Sequence, residues 1–116
     1  MSDLEKIRQR AEQFTLERDW RQFHSPKNLA MALTVEAAEL QECFLWLTEE
    51  ESKNLTEKQL AAVRDEIADV QTFLVRLADE LNIDIAAAFE QKMIQNEAKY
   101  PKDKVRGSAK KYTEYE

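Results

Sequence analysis

One glycine, one histidine, one cysteine and two prolines are all that this 116-residue sequence holds of the residue types on which much protein chemistry and most tight turns depend. A single cysteine excludes an intramolecular disulfide and a thiolate-rich zinc site, and it points to a reducing compartment. A single histidine excludes a His-paired zinc centre and the Glu-x-x-His pattern of di-iron bundles. The lone glycine, Gly107, leaves no phosphate-cradling loop of the P-loop or dinucleotide kind and no supply of hairpin turns, so an all-β fold is not expected. No apolar run approaches about 18 residues, and the polar start Met1-Ser2-Asp3-Leu4-Glu5 lacks a signal peptide's apolar stretch. The expectation is a soluble, cytoplasmic protein with no membrane partner.

Charge is plentiful but unevenly placed. Residues 1–98 carry 11 basic and 20 acidic side chains, net −9, whereas residues 99–111 carry six basic and one acidic, net +5. The whole-chain net charge of −6 conceals that division. An acidic body argues against sequence-independent nucleic-acid binding, which needs basic surface to displace counterions. The basic tail suits phosphate, on a nucleotide as readily as on a polymer.

A charged, glycine-poor chain of this length reads as one helical domain over 1–116, and periodicity predicts four helices. The first, about 3–20, carries Leu4, Ile7, Ala11 and Phe14 at helical spacing, and a short aromatic connection through Trp20 and Phe23 follows it. Ser25-Pro26 has the form of an N-cap with proline at the first helical position. The second helix, about 26–48, is apolar nearly all round, the mark of a central bundle helix. A polar stretch over 48–55 breaks the pattern, with Glu49-Glu50-Glu51 read as a solvated loop run. Thr56-x-x-Gln59 matches a capping box for the third helix, about 57–81, whose stripe is Leu60, Val63, Ile67, Val70, Leu74, Leu77 and Leu81. Asp84 is the expected N-cap of the fourth, about 85–98, and a polar tail runs over about 102–116. The fold class is therefore all-α, a four-helix bundle or close relative. The second helix has more apolar faces than three neighbours cover, so a homo-oligomer is expected.

Carboxylates stand where leucines belong. On the second helix, Ala32, Glu36, Glu39, Cys43 and Trp46 fall on one line, and Glu36 also sits in the apolar row Leu29, Leu33, Leu40, Phe44, Leu47. On the third, the row beside the leucine stripe reads Ala62, Glu66, Asp69, Phe73. A lone Glu-x-x-Glu recurs by chance in many charged helices; two acid pairs embedded beside apolar rows carry more weight. Unpaired acids next to a core shift their pKa or need compensation by basic side chains or a divalent cation. With oxygen ligands and no histidine or thiolate pair nearby, the cation favoured is hard: Mg²⁺, with Mn²⁺ as the alternative.

These residues resemble a known family. Glu36-x-x-Glu39, then 26 residues, then Glu66-x-x-Asp69 is similar to the ExxE…ExxD signature of the MazG-like all-α nucleotide pyrophosphohydrolases. Phe14-x-x-Glu17-Arg18-Asp19-Trp20-x-x-Phe23-His24-x-Pro26-x-Asn28-Leu29 resembles the dCTP pyrophosphatase branch. So do Trp46 after Cys43-Phe44-Leu45, Lys92-Met93-x-x-Asn96-x-x-Lys99-Tyr100-Pro101, and Arg106-Gly107-Ser108-x-Lys110-Lys111-Tyr112. The resemblance covers about residues 14–112.

It implies a Mg²⁺-dependent, house-cleaning hydrolase that cuts dCTP, or a 5-modified dCTP, to dCMP and pyrophosphate. Glu36, Glu39, Glu66 and Asp69 would hold the metal, and Glu36 or Glu39 would help deprotonate the water that attacks the α-phosphorus. Trp20 and Trp46 would stack on a base, and His24 would contact a base edge or a phosphate. Asn96 would read the cytosine edge. Lys92, Lys99 and Tyr100 would meet the triphosphate, and Arg106 and Lys110 in the basic tail would clamp it. Phe73 stands where close relatives have tyrosine, which removes a hydroxyl from the substrate side. Dimers, or a dimer of dimers with sites completed across subunits, are implied as well. The alternatives are a MazG-like enzyme with another or broader nucleotide preference, and a non-catalytic helical module whose acids lie on an open surface.

Overall fold

The computed structural model describes residues 1–109 and 113, and no strand occurs among them. The chain divides into two compact units, Met1–Ile83 and Asp84–Glu116. The first holds α1 (Asp3–Glu17), a 3₁₀ turn (Arg21–Phe23), α2 (Pro26–Glu42), α3 (Glu49–Lys53) and α4 (Glu57–Glu80); the second holds α5 (Ile85–Lys99) and α6 (Lys102–Val105). α2 packs most extensively on α4, and α1 also packs on α4.

Short side chains fix where these helices begin. Ser2, Ser25 and Asp84 each accept the N–H three residues on, from Glu5, Asn28 and Ala87, all at 3.1 Å. Two reciprocal capping boxes start α3 and α4. In the second, Thr56 accepts from Gln59 N–H at 3.2 Å while Gln59 Oε1 accepts from Thr56 N–H at 2.9 Å. Thr48 and Glu51 do the same for α3 at 3.1 and 2.9 Å. The acidic run Glu49-Glu50-Glu51 is thus the first turn of a helix, where its charge complements the helix dipole, and not a loop.

Helix ends show how a chain with one glycine stops its helices. α1 ends at Glu17, short of residue 20, because Asp19 takes a φ of 52° and turns the chain. Asp19 N–H then bonds Leu16 O at 3.1 Å and Trp20 N–H bonds Thr15 O at 3.0 Å, the paired bonds of a Schellman motif. α4 ends identically: Asn82 has a φ of 54°, and Asn82 and Ile83 donate to Asp79 and Ala78 at 3.1 and 2.8 Å. Aspartate and asparagine fill positions that glycine usually takes, since their short polar side chains tolerate the left-handed region. Asn82→Gly is expected to raise stability by about 0.5 kcal/mol, read as a small upward shift of the urea midpoint.

α2 ends at Glu42, not near residue 48: Cys43 to Leu47 form turns, with Leu47 N–H on Phe44 O at 2.9 Å. Trp46 therefore leaves the line of Glu36 and Glu39, while Cys43, still helical at the C-cap, keeps its Sγ against Glu39 O at 3.6 Å. In the polar tail, residues after Pro101 form the single turn α6, and Gly107 follows with a φ of 79°.

The buried apolar residues are Leu29, Val63, Val75 and Ala78, joined by Thr15 and Arg76. The leucine stripe enters this core only in part: Val63 is buried and Val70 and Leu77 are half-buried. Leu60, Ile67, Leu74 and Leu81, spaced by seven, are 39–55% exposed, while Glu66, Phe73 and Arg76 on the neighbouring row are turned further inward. Helical spacing groups side chains on a face, but which face turns inward depends on what it meets. Here Glu66, Phe73 and Arg76 turn in while Asp69 of the same row stays exposed, and Leu60, Ile67, Leu74 and Leu81 are left at the surface together with Met31 and Val35 of α2.

Candidate metal and nucleotide site

α2 and α4 pack so that Glu36, Glu39 and Glu66 converge, each offering a carboxylate oxygen within 4.8 Å of the others. Glu36 and Glu39 project together because they are three residues apart on α2. Glu66 meets them from the inward row of α4. Buried oxygens Oε2 of Glu36 and Oε2 of Glu66 have no hydrogen-bond partner. Such orphaned acceptors are costly when buried, and a cation is the partner that satisfies several at once. Three carboxylates with no histidine or thiolate beside them are a hard, all-oxygen donor set.

Electrostatics agree with crowding. Loss of hydration pushes the Glu36 carboxyl up to about 7, helped by the adjacent Glu39 carboxylate and the charges of Asp69 and Glu66. Glu66 is also raised, first by loss of hydration and then by the Glu39 and Asp69 charges. A raised carboxyl binds its proton more tightly folded than unfolded. Its contribution to stability is therefore complete below the ordinary value of 4.5 and is lost as pH rises through about 7. The metal-free protein should lose stability over that interval. A divalent cation competes with those protons, so the melting-temperature rise on adding Mg²⁺ should be larger above about pH 7 than below it. A pH-independent rise in calorimetry would contradict this.

Asp69 lies one turn beyond Glu66. It lines a groove of about 410 Å³ between α1 and α4, whose other walls include Ile7, Arg10, Phe14 and Phe73. Trp20 stands edge-on to Phe14, with ring centroids 5.8 Å apart at 72°, and the Arg18 guanidinium lies over the other ring at 3.7 Å. The first tryptophan is thus tied to a residue that lines the groove beside Asp69. Trp46 stands 89% exposed in the turns after α2.

His24 closes the connection between α1 and α2. Its Nδ1 faces the Nε–H of buried Arg76 at 3.5 Å. Sequence reasoning did not single out Arg76, although it continues the row Glu66, Asp69, Phe73 by the same helical steps, and that periodicity was the available signal.

The remaining sequence-predicted residues belong to the second unit. Lys92, Asn96 and Lys99 follow one face of α5, and Asn96 O accepts the backbone N–H of Tyr100 at 2.8 Å, which ends the helix. Arg106 caps α6 and lines a surface groove with Lys102, Asp103 and Val105. Lys110 lies outside the described residues.

Comparison with known proteins adds a second line of observation. The family model described as MazG-like matches residues 31–115. The chain is 42% identical over 113 residues to dCTP pyrophosphatase 1 of Homo sapiens and, to the same extent, to that of Mus musculus. These matches take in 96% of this chain and 66% of each relative, so the chain spans just under two thirds of the curated relatives' length. Among solved structures it is similar to a pyrophosphatase from Archaeoglobus fulgidus, with a TM-score of 0.81 and 36% identity. That match covers 87% of this chain and 94% of the archaeal one. No helix among the described residues is long and apolar enough to cross a membrane.

Proposed function

The chain belongs to the MazG-like family, and from that premise we propose that it hydrolyses dCTP or a 5-modified dCTP to dCMP and pyrophosphate with the help of Mg²⁺. The observation that carries the reading is the convergence of Glu36, Glu39 and Glu66 with two buried, unpartnered oxygens. A non-catalytic adaptor has no need to gather and desolvate like charges; a cation site does. The name of the mammalian relatives supports the nucleotide, and that of the archaeal neighbour supports the reaction class.

Glu36, Glu39 and Glu66 would hold the cation, with Asp69 completing the acidic face. When bound, Mg²⁺ would neutralise phosphate charge and polarise the α-phosphorus toward attack. Glu36 is the stronger candidate for the base. Its Oε2 is a buried, unpartnered oxygen, free to take a proton from a water beside the cation. Trp20, behind Phe14, offers a wall for the base at the groove beside Asp69 and Phe73. Phe73 supplies apolar surface to the groove without a hydroxyl, so one contact to the sugar or phosphate would be absent. His24 offers a ring N–H to an acceptor on the nucleotide. Trp46 would supply a second stacking face, and Lys92, Asn96, Lys99, Tyr100, Arg106 and Lys110 the contacts to base edge and phosphates.

Assembly belongs to the same proposal. The exposed seam of Leu60, Ile67, Leu74 and Leu81, with Met31 and Val35, is apolar surface fit for a second copy of this chain. A homo-oligomer, a dimer or a dimer of dimers, is expected in sedimentation at micromolar concentration; a stable monomer would overturn it.

The decisive assay is incubation with dCTP and Mg²⁺, followed by product analysis. Equal amounts of dCMP and pyrophosphate support attack at the α-phosphorus, and release of orthophosphate contradicts it. A panel of deoxynucleoside triphosphates under one set of conditions ranks the base preference.

A further inference from the structure

Arg76 is the largest fully buried side chain, 2% exposed. Its N–H groups point three ways. Nη1 donates to Asp79 Oδ2 at 3.0 Å, Nη2 to Glu80 Oε1 at 2.5 Å, and Nε faces His24 Nδ1 at 3.5 Å. The two carboxylates are shared: Arg8 of α1 reaches Asp79 at 3.2 Å, and Arg21 of the 3₁₀ turn reaches Glu80 at 3.2 Å. Arg8 is itself paired with Glu5 and Glu12 at 2.7 and 2.6 Å. The cluster therefore ties α1 and the connection that carries Trp20 and His24 to the row of α4 that bears Glu66 and Asp69.

A guanidinium donates and never accepts. Facing it, His24 Nδ1 must carry the lone pair, which leaves the ring proton on Nε2. A proton on Nδ1 would set two donors against each other beside a fixed positive charge. Loss of hydration and the Arg76 charge also hold His24 below its ordinary pKa, against the opposing Glu80 carboxylate. We propose that Arg76 is a positioning residue for the substrate, which fixes His24 as the neutral tautomer bearing its proton on Nε2 and so presents one N–H to an acceptor oxygen of the nucleotide. This rests on the reading of His24 as a substrate contact. The charge of Arg76 is already matched by Asp79 and Glu80, so its third donor is free to set the ring.

The test uses the chain's only histidine, which yields a single imidazole spin system in long-range proton–nitrogen correlation NMR of the full chain. The expected spectrum at neutral pH has Nε2 protonated and Nδ1 bare. A proton on Nδ1, an average of both tautomers, or a doubly protonated ring overturns the proposal at Arg76. Next, dCMP and inorganic triphosphate are titrated separately. A shift of Nε2 with dCMP alone places the acceptor on the nucleoside, and a shift with inorganic triphosphate places it on the phosphates; either supports the proposal. No shift with either, together with an unchanged KM in His24→Ala, overturns it through the substrate-contact reading, a failure distinct from a wrong tautomer. Arg76→Lys keeps the charge for Asp79 and Glu80 but lacks the Nε–H. It should average the tautomers and raise KM about three- to tenfold, the range of one lost hydrogen bond, with kcat little changed. An equal fall in kcat at constant KM would contradict positioning, and if this variant does not fold the wild-type spectra decide the matter.

Discussion

Glu39→Gln is expected to fold normally and to turn over nucleotide at least ~10²-fold more slowly than the parent chain, the scale of losing one charged group that stabilises a transition state. The substitution keeps the shape of a side chain that is itself exposed, so the packing of α2 on α4 has no reason to change. What changes is charge. The Glu39 carboxylate lies beside both Glu36 and Glu66 and adds to loss of hydration in raising both of their pKa values. With that charge gone, Glu36 of the metal-free protein should ionise at a pH below about 7, and the pH interval over which that protein loses stability should move down. Glu36→Gln separates the two roles further. It removes an ionised group whose buried oxygen has no partner, so the metal-free variant should melt no lower than the parent above about pH 7 while losing its Mg²⁺-induced rise. Near-normal turnover in Glu39→Gln would sink the metal-site assignment, and an unchanged Mg²⁺ response in Glu36→Gln would do the same for its ligand role.

Much of this was legible before any coordinates. The N-caps Ser25 and Asp84 and the Thr56 capping box could be read because a short polar side chain before an apolar-periodic run has one good use. Thr48-x-x-Glu51 has the same form and was passed over, since three consecutive acids look like a solvated loop rather than a first turn. The end of α4 near residue 81 was legible, and the end of α1 at Glu17 and the left-handed turns themselves were harder. Without glycine the stop falls to Asp19 and Asn82, and those residue types are too common to mark a left-handed turn by themselves. The four acids could be singled out because charge beside apolar rows needs a reason. Arg76 escaped for the converse cause: an arginine in a charged helix reads as surface, and only the fold reveals Asp79, Glu80 and His24 closing around it. The leucine stripe misled in a third way. Its spacing predicts one shared face, yet Val63 of that face is buried while Leu60, Ile67, Leu74 and Leu81 stay exposed, and Glu66, Phe73 and Arg76 of the neighbouring row are turned further inward.

The second large effect is on stability. Arg76→Ala should lower the unfolding free energy by about 3 kcal/mol, the lower end of the range for breaking a buried ion pair. The reason is less the lost attraction than what remains. Asp79 and Glu80 keep side-chain exposures of only 22% and 16% and would lose the donors at 3.0 and 2.5 Å. Arg8 and Arg21 still approach them at 3.2 Å, which keeps the cost from the upper end. The void left by the largest buried side chain adds to the loss. Urea titration at a fixed protein concentration, needed because any self-association links stability to concentration, should show the midpoint falling with the slope unchanged. Adding Asp79→Asn and Glu80→Gln to an Arg76→Met background removes the stranded charges and restores apolar volume, so most of the loss should return. A fall smaller than about 1 kcal/mol in Arg76→Ala would mean that the cluster's charges are hydrated as well without the guanidinium as with it, and that Arg76 holds α1 to α4 no more firmly than an ordinary surface pair.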